Sequence, residues 1–129
     1  MVEEWLKLAL SDAAGVTAWP LQVSELQEPP FIVYTRQATE RERILDGPPP
    51  APVATFEVMI FAEGFQQVRT LAAKVRVGVP NFKGGPAATT ILDAWLEDES
   101  DGEPVEFPGD EKPWHVAAHT WMVRYIEEN

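Results

Sequence analysis

The chain has 129 residues, 45% of them apolar, no cysteine and a formal net charge of −11, which suffices for one compact core and excludes disulfides and thiolate metal sites. Eight acids between Glu97 and Glu111, with no base among them, account for all of that charge but −3. The body is therefore only mildly acidic, without the clustered Lys and Arg that tight duplex binding needs. No uncharged apolar run approaches the roughly 18 residues of a membrane span, and Met1-Val2-Glu3-Glu4 lacks the basic start of a signal peptide. A soluble, single-domain protein made in a cytoplasm is expected. Its glycines and prolines cluster at boundaries, where they punctuate an ordered fold.

Residues 2–14 read as a first helix: Val2, Trp5, Leu6, Ala9 and Ala13 form one apolar stripe. Glu3 and Glu4 suit the positive end of its dipole, and Gly15 is the expected stop. A short extended piece over 16–23, broken at Pro20, leads to a connector over 24–30. Phe31-Ile32-Val33-Tyr34-Thr35 is β-branched and aromatic, hence a strand. The polar tail 36–43 continues it, and fully extended the run 31–43 spans roughly 43 Å at about 3.3 Å per residue. That is about twice a typical strand, so the excess is expected to project as a hairpin arm or to bend across a neighbour. A proline-rich turn over 47–52 stiffens the tip, and a second strand returns over 53–62.

A helix opens after Gly64 with the stripe Phe65, Val68, Leu71, Ala72, Val75 and Val79, and Pro80 is expected to end it. A loop over 81–86 precedes a strand over 89–97. The acidic segment then reads as a solvated loop, and 115–126 as the last strand. The order α-β-β-β-α-β-β predicts an α+β fold: a largely antiparallel sheet with two helices on one face and a long projecting hairpin.

Little in this pattern carries chemistry. His115 and His119 would chelate on a helix, but Trp114 to Tyr125 favours strand, where they share a face about 13 Å apart. Two half-exposed sheet residues are the expected outcome. The acidic segment fails as a calcium loop, because setting Gly102 at the turn position puts Pro108 where the bidentate Glu belongs. Asn81-Phe82-Lys83-Gly84-Gly85-Pro86 lacks the spacing of a phosphate loop, and no Ser-x-Gly elbow is present. Trp5, Trp19, Trp95, Trp114 and Trp121 suit either a stacking platform or core and interface packing. No catalytic residue, metal site or cofactor is predicted, and no enzyme is expected.

Pro29-Pro30-Phe31-Ile32-Val33-Tyr34, Leu45-Asp46-Gly47, 54–62 (Ala-Thr-Phe-Glu-Val-Met-Ile-Phe-Ala), Leu71-Ala72-Ala73-Lys74-Val75-Arg76 and 119–125 (His-Thr-Trp-Met-Val-Arg-Tyr) appear in that order. Together they resemble the tail completion, or tail terminator, family of long-tailed phages and prophages. The chain departs from that pattern in the prolines of 47–52 and the acidity of 97–111. The resemblance implies an α+β subunit of a virion ring, usually a hexamer, that caps the tail tube and joins it to the head. Implied partners are further copies of the chain, the tail tube protein and the head–tail connector or neck proteins, with genome DNA passing through unbound. The implied location is the head–tail junction, with assembly in the host cytoplasm.

Within that reading, Arg36, Arg41, Arg43, Ile44 and Leu45 are expected at an intersubunit contact. Glu97, Asp98, Glu99, Asp101 and Glu103 form an acidic loop expected to face either that arm or the bore. The rivals are a head-side neck or adaptor subunit, and a monomeric module binding a small ligand on a Trp-bearing sheet face.

Overall fold

The computed structural model describes residues 2–20, 30–40, 51–82, 90–102 and 114–126. The elements follow the predicted order: α1 (Val2–Ala14), β1 (Ala18–Pro20), β2 (Phe31–Glu40), β3 (Val53–Ala62), α2 (Phe65–Asn81), β4 (Thr90–Asp101) and β5 (His115–Ile126). The fold is α+β. One five-stranded sheet runs β1-β2-β3-β5-β4; β1 lies parallel to β2, and every other pairing is antiparallel.

Helix α1 begins with Glu3 and Glu4 in its first turn, and Gly15 closes it at φ +74°, donating to the Ser11 carbonyl at 2.9 Å. A left-handed position after a helix is cheap only for glycine. The Ala18 N–H then donates to Ser11 Oγ at 3.2 Å, tying the turn to the start of β1.

Alternation along β2, β3 and β5 sends Ile32, Tyr34, Phe56, Val58, Ile60, Trp121 and Val123 to one face, where both helices cover them. Helix α1 buries Val2, Trp5, Leu6, Ala9 and Leu10 there, and α2 buries Val68, Leu71, Ala72, Val75 and Val79. Phe65, assigned to that stripe from the sequence, is exposed and carries the Arg69 guanidinium 5.2 Å from its ring centre. On the opposite face a smaller aromatic cluster forms from Phe31, Phe61, Trp114 and Val116, flanked by Trp19, Val33 and Met59.

Other details differ from expectation. Helix α2 continues through Pro80 to Asn81; proline's φ is already helical, and the Asn81 side chain donates to the Val77 carbonyl at 2.7 Å. Strand β4 runs on to Asp101, so Glu97, Asp98, Glu99 and Asp101 lie in a strand and not in a loop. Ladder bonds to β5 hold that acidic stretch in place. The polar part of β2 also stays inside the sheet: Arg36 pairs with Phe56 and Glu40 with Val53, with a register irregularity at Gln37. Val53 and Phe56 pair in turn with Arg124 and Trp121, so β3 is long enough to accept the end of β2 and is itself paired with β5 along that stretch. The rest of the expected arm, 41–50, lies outside the described residues.

Candidate functional site

Between α2 and the β4–β5 pair lies a groove of about 290 Å³. Arg69, Ala72 and Arg76, at i, i+3 and i+7, line it from the helix. Glu99 and Asp101 line it from β4, and Ala117 and His119 from β5. The small side chains of Ala72 and Ala117 leave the space open.

Glu99 and Asp101 reach this groove through a bulge. Ala94 and Leu96 face the helices, opposite Val123 and Trp121, and plain alternation would place Asp98 and Ser100 there next. The register shift between Leu96 and Asp98 leaves Glu97 as the extra residue, so Glu99 comes opposite His119 and Asp101 opposite Ala117. Glu97 accepts a hydrogen bond from Trp95 Nε1 at 3.0 Å.

The charges in the groove are paired. Arg76 Nη1 lies 3.0 Å from each Glu99 oxygen, and Arg69 Nη1 lies 3.4 Å from Asp101 Oδ2. Glu99 Oε2 is also 3.4 Å from His119 Nε2. His119, expected to be half-exposed, is only 2% exposed, because the bulged β4 and α2 close over its face of the sheet. Burial pushes its pKa below the ordinary value; Glu99 opposes that shift and Arg76 adds to it. A neutral imidazole presenting Nε2–H to the carboxylate fits this setting, and Nδ1 has no hydrogen-bond partner among the described residues. The arrangement can hold or release a proton at one buried ring. Among the described residues no group of three His, Cys, Asp or Glu is placed to hold a metal ion.

Among the described residues singled out from the sequence, Glu97, Asp98, Glu99 and Asp101 share β4 and Arg36 stands apart from them on β2. Arg36 pairs with Glu3 at 2.6 Å and lies 5.6 Å and 5.8 Å from the ring centres of Phe56 and Tyr125. It is thus engaged within its own chain. Strands β3 and β5 separate it from β4 and the acids there. Arg41, Arg43, Ile44, Leu45 and Glu103 lie outside the described residues. His119 was visible in the sequence, but the Arg69 and Arg76 that face it were not; their i, i+7 spacing beside an apolar stripe was the available signal. No helix among the described residues is long and apolar enough to cross a membrane. No family model matches the chain, and no curated protein is significantly similar to it in sequence.

Proposed function

We propose that the chain is a structural subunit that assembles with its own copies into a ring at the head–tail junction of a long-tailed phage, completing the tail and joining it to the head. The architecture supports this reading most directly: two helices on one face of a five-stranded, mostly antiparallel sheet, in the order α-β-β-β-α-β-β. That is the α+β subunit the sequence resemblance implies. The partners in this reading are the tail tube protein and the head–tail connector, and the DNA traverses the ring without specific binding.

In this reading Arg36, Arg41, Arg43, Ile44 and Leu45 supply the intersubunit contact, and Arg36 also pairs with Glu3 within its own chain. The experiment is a mass measurement by analytical ultracentrifugation, with and without tail tube protein. A closed oligomer that binds tube protein, and that Arg41→Glu with Arg43→Glu weakens in a salt-sensitive way, is the expected result. A stable monomer indifferent to tube protein overturns the proposal and favours a ligand-binding module.

A further inference from the structure

The last four residues of β4 are exposed, and within the sheet only β5 pairs with them. Across the groove, α2 is anchored by Val68, Leu71, Ala72, Val75 and Val79 in the core. The two sides are therefore unequal. Moving α2 would uncover a buried apolar stripe, whereas lifting the end of β4 breaks a few edge ladder bonds and two half-exposed ion pairs. Exposed pairs of this kind contribute about 0–1 kcal/mol each, and edge segments of this kind populate the low-stability end of local opening.

Beneath that strand end sits His119, nine-tenths and more buried, with its Nε2 against Glu99. The charged and titratable groups around it come from three elements. Arg69 and Arg76 face the groove from α2, and Glu99 and Asp101 from β4. On β5, His115 lies four residues away on the same face, its ring 6.1 Å from that of Phe65. Strand β3 contributes apolar neighbours there, Val58 opposite His119 and Ile60 opposite Ala117. A proton added to the closed groove places a second cation beside Arg76 with one carboxylate, Glu99, to satisfy both.

We propose that residues 98–101 of β4 form a proton-sensitive flap, latched by Glu99 over His119 and Arg76 and released when the imidazole takes up a proton. The closed state holds a neutral ring. The open state lets that ring reach water, where it binds a proton at its ordinary affinity, so falling pH populates the open state by linkage. Opening also frees Arg69 and Arg76 from their carboxylates.

The test is an NMR titration of the whole chain from pH 7 to pH 5. It follows the His119 ring together with amide hydrogen exchange corrected for the intrinsic pH dependence. The expected result is loss of protection at 98–101 in step with His119 titration, with the amides of 53–62 unchanged. His119→Gln abolishes that pH response. Arg76→Gln, at a half-exposed position, lowers protection of 98–101 already at pH 7 and weakens the pH response without abolishing it, because burial of the ring remains while Glu99 no longer has two cations to satisfy. The proposal is overturned if protection at 98–101 stays constant while His119 titrates. It is equally overturned if the whole sheet loses protection together, or if His119→Gln responds as the natural chain does.

Discussion

The two helices approach each other closely at Gly78: a Cβ built there would stand 2.4 Å from Ala13 Cβ and 3.1 Å from Ala13 Cα. Real side chains do not approach so closely, so Gly78→Ala must push α1 away from α2. Overpacking of that kind costs about 1–3 kcal/mol, against about 1 kcal/mol gained in helix propensity. Overpacking wins because the atoms in the way belong to Ala13 at its backbone and have no rotamer to escape into. Gly78→Ala is expected to lower the urea midpoint, and adding Ala13→Gly to recover part of the loss. His119 gives a second expectation at this scale. Its folded pKa is lowered by burial, so the unfolded chain takes the proton first. Stability is full above the unfolded value of about 6.5, falls as the pH drops through it, and levels off below the folded value. Urea unfolding at pH 7.5 and pH 5.5 should show that loss in the natural chain. It should be missing from His119→Gln, where carboxylate titration at lower pH still operates.

At the scale of elements, the sheet protects both its edges. Strand β1 has three residues and ends in Pro20, which offers no N–H to a newcomer. Strand β4 carries Asp93, Glu97, Asp98, Glu99 and Asp101 and two register shifts; charge and bulges both discourage pairing with another chain. Replacing Asp93 and Asp98, which lie beyond the two shifts, with Thr should expose this edge to self-pairing. Sedimentation velocity at rising concentration would then show open-ended species in Asp93→Thr/Asp98→Thr beyond any closed assembly of the natural chain. The elements themselves were largely legible, since β-branched and aromatic runs mark β2, β3 and β5 and apolar stripes mark both helices. The end of β4 was not. Its composition reads as a solvated loop, and only the ladder to Ala117, Ala118, His119 and Thr120 of β5 makes it a strand.

For the whole molecule, the net charge of −11 understates how locally the groove is balanced. Two arginines of α2 meet two carboxylates of β4 there, although the acidic stretch looks unopposed along the chain. Local sequence pattern dictates the order of the elements, the α+β class and most of the apolar residues that fill the core, Phe65 being an exception. Those follow from periods of 2 and 3.6 residues, which a local stretch of chain carries alone. Only the tertiary structure decided that Glu99 and Asp101 face α2, that His119 is buried beneath them and that Arg36 belongs to Glu3. A bulge arises between two strands and an ion pair between two elements, so neither is written in the spacing of any one segment. The face on which an acid or a histidine stands was fixed by partners 20 to 33 residues away in sequence.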